Sequence, residues 1–228
     1  MMNAMLRPAL LATALLLAPQ AASAEIVLSQ LVVDIAPGKA ARGDIEIWNN
    51  DKERAYVVVE PSEVIAPGTT AERRVPERDP EKLGLLVTPA RMILEPGQRK
   101  LLRLSPIGGI PQRERVYRVT VKPTVGSVET NVTGLKLLIG YDVLVLVRPG
   151  GAPGRLSGRR EGNQLVIRND GGTSVELSAG KACRGKADCS ELPAKRLYAG
   201  AEWRVEVPAG ATVDYAVVGP AGTGRQTF

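Results

Sequence analysis

The chain has 228 residues, 44% hydrophobic and 24% charged, which is enough for one large or two small domains with apolar cores. It has no histidine and only two cysteines, so histidine catalysis, histidine metal sites and zinc or iron–sulfur centres built from cysteine are excluded. The formal net charge is +6, but basic and acidic residues are interleaved and aromatic residues are only 4%, which argues against a nucleic-acid interface.

The first 24 residues have the pattern of a secretory signal peptide. Arg7 precedes an apolar run from Ala9 to Ala18, and Ala22-Ser23-Ala24 supplies small residues for cleavage. The apolar run is shorter than the roughly 20 residues that cross a membrane. We therefore expect residues 1–24 to be removed after export, and we expect no stable membrane insertion.

Short runs rich in Val and Ile dominate the rest of the chain. Residues 44–49, 116–122 and 202–207 each alternate apolar with polar side chains, which is the period of a half-buried strand. Turn sequences that contain Pro and Gly separate these runs. The pattern predicts an all-β protein made of β-sandwiches. Residues 71–82, dense in charge and proline, are predicted to be an exposed loop.

An almost continuous apolar run ends at Val147 and is followed by the Gly- and Pro-rich residues 149–155. A strand cannot continue through such a sequence. We therefore predict two β domains, residues 25–148 and 149–228, joined by a short hinge.

The apolar run before this hinge is unusually long. Leu135, Leu137 and Ile139 share one face, and about 15 strand residues would span about 50 Å, more than a small sandwich requires. The second half, Tyr141–Val147, is predicted to be a core strand. The first half is either the continuation of that core strand or an apolar edge that pairs with the open sheet of another protein.

The two cysteines, Cys183 and Cys189, lie six positions apart in a Gly- and Lys-rich stretch. In an exported protein this spacing predicts a structural disulfide, since it is not the Cys-x-x-Cys spacing of a redox pair. The sequence contains no nucleophile elbow, phosphate-binding loop or dinucleotide fingerprint. We therefore expect no catalytic, cofactor or metal site, and a protein that is not an enzyme.

Several ordered motifs resemble those of the PapD-like periplasmic chaperones, which act in pilus assembly by the chaperone–usher route. Residues 88–104 are similar to the family's Pro-rich strand, turn and following strand, and residues 113–119 to its Arg-Glu-x-x-Tyr/Phe strand. The alternating apolar segment, the hinge Arg148-Pro149 and the corner Val213-Asp214-Tyr215 then follow in the family's order.

This resemblance implies two immunoglobulin-like sandwiches in a boomerang arrangement and a periplasmic chaperone that caps secreted pilus subunits before an outer-membrane usher assembles them. The chaperone itself would be a monomer or a weak dimer. Leu135, Leu137 and Ile139, with Lys136 beside them, would donate a hydrophobic strand to the subunit. Four residues occupy the positions of the family's interdomain charge cluster: Arg103, Glu114, Arg148 and Asp214.

One departure from the family concerns the terminal carboxylate of the subunit, which the family holds with an Arg in its first strand and a Lys before the hinge. Val32 and Leu144 occupy the corresponding positions, and the nearby Asp142 is acidic. A buried carboxylate without a cation is costly. Either another cation holds it, or this divergent branch binds its client differently, which is the interpretation that we favour. The candidate cations are Lys136, Arg118 and Lys122.

A function of another class is also compatible with the sequence. A secreted two-domain adhesive or structural subunit would have an open groove and would self-associate by strand exchange. Such a subunit would polymerise, whereas a chaperone would not.

Overall fold

The computed structural model describes residues 26–38, 41–124, 138–151, 153–185 and 187–228. Within these ranges the chain forms eighteen strands and one short helix, so the predicted all-β fold is confirmed. The strands make four sheets, and two separate apolar clusters lie between them. The fold is therefore two β-sandwiches in succession.

The first sandwich uses residues from Ile26 to Val147. Its elements are β1 (Ile26–Leu28), β2 (Val32–Ile35), β3 (Gly43–Asn49), β4 (Ala55–Ile65), β5 (Arg73–Pro76), α1 (Pro80–Leu83), β6 (Leu85–Thr88), β7 (Arg91–Leu94), β8 (Arg99–Pro106), β9 (Arg115–Thr124) and β10 (Tyr141–Val147). One sheet has the strand order β1-β3-β8-β6, and the other has the order β2-β10-β9-β4-β5, with β7 also paired to β4. The edge strand β2 runs parallel to β10.

The second sandwich is smaller. Its strands are β11 (Leu156–Glu161), β12 (Gln164–Asn169), β13 (Val175–Cys183), β14 (Cys189–Leu192), β15 (Lys195–Leu197), β16 (Glu202–Glu206), β17 (Thr212–Gly219) and β18 (Gly222–Thr227). One sheet has the order β11-β12-β16, and the other has the order β14-β13-β17-β18, with β15 also paired to β13. Residues 148–151 and 153–155, which separate the two sandwiches, contain no strand.

The period-two pattern of the sequence accounts for the first core. Ile45 and Ile47 of β3 are fully buried, as are Val119 and Val121 of β9 on the facing sheet. Each such side chain contributes about 1.5–3 kcal/mol when it leaves water. Tyr117 is also fully buried, and its hydroxyl donates a hydrogen bond to the carbonyl oxygen of Leu83 at 3.2 Å. The phenol is therefore satisfied inside the core.

The second core is centred on Tyr215 of β17. The ring of Trp203 packs edge-on against it, with ring centroids 6.0 Å apart, and the Tyr215 hydroxyl donates to the carbonyl oxygen of Pro193 at 3.1 Å. A β-carbon at Gly180 would lie 2.2 Å from this ring, so only glycine fits there. The bulge in β13 between Ser178 and Lys181 accompanies this close approach.

The region predicted to be an exposed loop is partly ordered into secondary structure. Residues 71–82 contain β5 and the beginning of α1. The carboxylate of Asp79 accepts a hydrogen bond from the Glu81 amide at 3.0 Å and caps the helix, and Gly84 ends it in a left-handed conformation. The loop prediction was therefore wrong for these elements, because charge and proline describe exposure rather than backbone geometry.

No helix in the described part of the chain reaches the length and hydropathy that a bilayer crossing requires.

Candidate functional site

A buried arginine joins the two domains. Arg148 follows β10 directly, and only 3% of its side chain is exposed. Its guanidinium forms an ion pair with Glu114, whose side chain is 2% exposed, and it contacts Asp34 of β2 at 2.7 Å. It also donates to the carbonyl oxygen of Ser174, in the second domain, at 2.9 Å.

Ser174 completes this arrangement from the side of the second domain. Its backbone amide donates to the Glu114 carboxylate at 3.0 Å, and its hydroxyl lies 3.1 Å from the same oxygen. Burial by itself lowers the pKa of Arg148, but the hydrogen bonds and charges of Asp34 and Glu114 outweigh burial, and the pKa is raised. The guanidinium therefore stays charged and binds both domains together.

The structure brings together two of the four residues that the resemblance assigned to a charge cluster, Glu114 and Arg148. Arg103 lies on the other sheet, where its guanidinium makes two hydrogen bonds to Asp44 of the adjacent strand at 2.8 and 3.1 Å. Asp214 lies on β17 and pairs with Arg225 of β18. Neighbouring strands satisfy both side chains locally, so neither contributes to the contacts of Arg148.

Asp34 and Ser174 are the members that sequence reasoning missed. Asp34 reaches Arg148 because β2 pairs in parallel with β10, with Asp34 opposite Leu146. The only sequence signal for Asp34 was a lone acidic residue in an apolar edge strand, and Ser174 carried no signal. The pairing of strands more than a hundred residues apart creates the contact.

The apolar character of the positions noted as a departure has a structural counterpart. Leu144 and Val32 lie directly opposite each other in the β2–β10 register. Leu144 is buried and packs with Val64, Val116 and Leu146, while Val32 is 45% exposed. This surface offers no cation of its own to a carboxylate.

The candidate cations occupy different surroundings. Lys122 forms an ion pair with Glu60 at 2.7 Å. Arg118 is directly opposite Leu144, and its nearest carboxylate oxygen belongs to Asp142 at 3.8 Å. Lys136 lies outside the described residues. Arg118 is thus the candidate that faces the apolar cluster.

The segment expected to act as a donated strand is described only at its end. Leu135 and Leu137 lie outside the described residues. Ile139 is described, precedes β10, and is 53% exposed. Large apolar exposure immediately before a core strand is compatible with a surface that another protein covers.

The expected disulfide is confirmed: Cys183 and Cys189 are bonded and face each other in the β13–β14 register. The ion pair between Arg184 and Asp188 lies inside the same hairpin at 3.0 Å. The bond therefore closes the end of an exposed hairpin in the second domain.

Comparison with known proteins places these features in context. No protein-family model matches the chain. It is 30% identical over 167 residues to a CFA/I fimbrial subunit of Escherichia coli, covering 69% of this chain and 68% of that protein. It is 27% identical over 191 residues to a CS1 fimbrial subunit of Escherichia coli, covering 81% of this chain and 79% of that protein.

Solved structures share the fold. The class 5 fimbriae chaperone CfaA is similar with a TM-score of 0.68 at 23% identity, covering 89% of this chain and 98% of that chain. The SafB chaperone in complex with SafA pilin, from Salmonella enterica, is similar with a TM-score of 0.66 at 18% identity, covering 92% and 98%. The arrangement of two sandwiches is thus common to this chain and to these structures.

Proposed function

Since this chain belongs to the family of PapD-like periplasmic chaperones of pilus assembly, we propose that it binds fimbrial subunits in the periplasm and caps them with a hydrophobic β-strand until an outer-membrane usher assembles them. Structures similar to this chain include a chaperone–tip adhesin complex of CFA/I fimbriae and the SafB–SafA complex of chaperone with pilin. These likenesses support the binding of a fimbrial client. The geometry before β10 supports the mode of binding.

The phase of β10 carries the proposal. Val143 and Val145 point into the first core, and Tyr141 packs against the same cluster and donates a hydrogen bond to the Ile26 carbonyl oxygen at 2.8 Å. Ile139 is the next residue in this phase, yet about half of it is exposed. The core of this domain therefore ends at Tyr141, and apolar side chains that precede it in phase have their faces free for another protein's core.

The neighbouring strand supplies an edge for the same partner. β9 continues to Thr124, which pairs with Tyr56 of β4, whereas β10 begins opposite Val121. Among the described residues, no strand therefore pairs with Lys122, Pro123 and Thr124 on the β10 side. An incoming subunit groove would meet both apolar side chains and strand edges at this end of the sheet.

The energetics are sufficient for binding. Burial of three Leu or Ile side chains contributes roughly 5–9 kcal/mol at about 1.5–3 kcal/mol each. Ordering costs reduce this gain, and ladder hydrogen bonds add to it. Leu135 and Leu137, which share the phase of Ile139 in the sequence, are the other two side chains of this proposal.

The test is co-expression, with their own signal peptides, of this chain and the small secreted subunits encoded beside it. We expect the subunit to co-purify with the wild type and to be lost with Leu137→Asp/Ile139→Asp. Leu101→Asp is the matched control, since Leu101 is 54% exposed on the other sheet. Equal recovery from all three proteins would contradict strand donation. Polymerisation of the wild-type chain alone would instead favour a self-associating subunit.

Location is tested separately. Residues 1–24 are proposed to be a cleaved signal peptide, so periplasmic extracts should contain a protein whose amino terminus is Glu25. Recovery of the uncleaved chain in the membrane fraction would contradict export to the periplasm.

A further inference from the structure

A small cavity lies between the two domains, next to the apolar cluster that contains Leu144. Its volume is about 230 Å³, room for about eight water molecules at about 30 Å³ each. The first domain contributes Val64, Val116 and Arg118 to its wall. The second domain contributes Lys195, Arg196 and Tyr198.

Basic side chains outnumber acidic ones around this cavity. Glu72 is the one acidic residue among its described lining, and its carboxylate accepts a hydrogen bond from the Gly68 amide of its own loop at 2.6 Å. Lys195 makes no ion pair with any described residue, and Arg196 pairs with Glu176 outside the lining. The cavity wall therefore has an excess of positive charge.

Arg118 is only loosely engaged by an acid. Arg74 takes both carboxylate oxygens of Asp142, at 2.6 and 3.1 Å, while Arg118 lies 3.8 Å from one of them. A guanidinium has five N–H donors, so Arg118 retains several for a ligand. Lys195 and Arg118 thus offer donors from opposite walls of the cavity.

Tyr198 adds a neutral donor. Burial raises the pKa of its phenol, while the charges of Arg118 and Arg196 act in the opposite direction, which shows that both cations are close to the ring. The hydroxyl is therefore protonated at neutral pH, and within the described ranges it has no hydrogen-bond partner. A β-carbon at Gly68 would lie 2.9 Å from the Tyr198 ring, so this loop packs directly on the side chain and holds it in place.

The remaining wall is apolar. Val64 and Val116 belong to the cluster of Leu144 and Leu146, against which Tyr198 also packs. A ligand that matches this wall carries a negative charge beside an apolar group. The terminal carboxylate of a polypeptide, next to its last apolar side chain, has this chemistry and fits the volume.

We propose that this interdomain cavity binds the terminal carboxylate of the client polypeptide through Lys195, Arg118 and the hydroxyl of Tyr198. The inference rests on the proposed function, because it names how the client's end is held. None of the three residues stands at the positions of Val32 and Leu144. The carboxylate contacts both domains at once, so its binding also favours one relative placement of the domains.

The experiment measures the binding of synthetic peptides to residues 25–228 by chemical-shift titration. The probes are a short peptide of alternating Val and Thr with a free terminal carboxylate, the same peptide with a terminal amide, and the amide form with one Glu near its end. The variants are Lys195→Gln and Arg118→Gln. The matched control is Lys52→Gln, an exposed lysine in the turn between β3 and β4.

We expect the free acid to bind the wild type about fivefold more tightly than the amide, with the largest shifts around Tyr198. This ratio should fall to about one in both cavity variants and remain unchanged in the control. A ratio near one in the wild type, or a preference that survives both substitutions, overturns the proposal. A Lys195-dependent gain seen only with the Glu peptide also overturns it, because the cavity then takes an acidic side chain instead.

This outcome is separable from the proposed function. Subunit recovery in the co-expression assay reports strand donation through Leu137 and Ile139, whereas the ratio of acid to amide affinity reports the cavity alone. If the subunit still co-purifies and the acid is not preferred, the cavity proposal fails and the chaperone proposal stands.

Discussion

The guanidinium of Arg148 and the carboxylate of Glu114 are in direct contact, and both are almost completely buried between the two sandwiches. Ser174 of the second domain hydrogen-bonds to both of them. A buried ion pair of this kind adds little net stability compared with apolar residues, but removal of one partner strands the other charge in the interior. The pair therefore makes the placement of the domains sensitive to either residue.

Loss of the Glu114 carboxylate is expected to be costly. Glu114→Ala leaves the Arg148 charge with only the half-exposed Asp34 as a partner, so the free energy of unfolding should fall by about 3–5 kcal/mol. Urea denaturation followed by fluorescence measures this change. Arg103→Ala, which removes an exposed ion pair with Asp44, is the control and should change stability little. Equal effects of the two substitutions would contradict the central role of Glu114.

Substitution of the two candidate aspartates should separate their roles. Asp34→Asn removes a charge that contacts Arg148, and we expect it to lower the free energy of unfolding by about 1 kcal/mol and to widen the distribution of domain orientations. Asp214→Asn disrupts only a pair within one sheet and should leave the orientation unchanged. Residual dipolar couplings measured in each domain give the orientation. A change of orientation in Asp214→Asn alone would reverse this assignment.

The titration of Asp44 reports the position of Arg103. The side-chain hydrogen bond from Arg103 lowers the pKa of Asp44, with burial acting weakly in the opposite direction. A carboxyl whose pKa is lowered by folding contributes stability above its unfolded pKa, and this contribution is lost as the pH falls through the folded value. Arg103→Ala should therefore raise the pKa of Asp44 towards its ordinary value, as measured by carboxyl-carbon NMR. An unchanged pKa would mean that Arg103 does not engage Asp44.

Removal of the disulfide should destabilise the second domain moderately. The bond closes a loop with a sequence separation of only 6, for which the chain-entropy estimate is about 2 kcal/mol at 25 °C. Cys183→Ser/Cys189→Ser should lower the free energy of unfolding by this amount under oxidising conditions. In the presence of a reductant the variant and the wild type should unfold alike. A difference that persists in reductant would show that the substitutions act by another route.

Local sequence chemistry predicted much of this protein. The alternation in residues 44–49 and 116–122 correctly predicted strands, because burial of one sheet face requires a period of two. The spacing of Cys183 and Cys189 predicted their disulfide for a similar local reason. The short helix after Asp79 was missed, since its cap and its left-handed glycine act through backbone geometry rather than composition.

Long-range pairing decided the rest. The sequence alone showed that Val32 and Leu144 are apolar, but only the tertiary structure set them opposite each other, since parallel pairing of β2 with β10 depends on the closed sandwich. The same pairing brought Asp34 to Arg148, and domain packing brought Lys195 and Tyr198 to Arg118. Side-chain patterns repeat within a strand and so can be read locally, whereas contacts between distant strands exist only once the whole chain has packed.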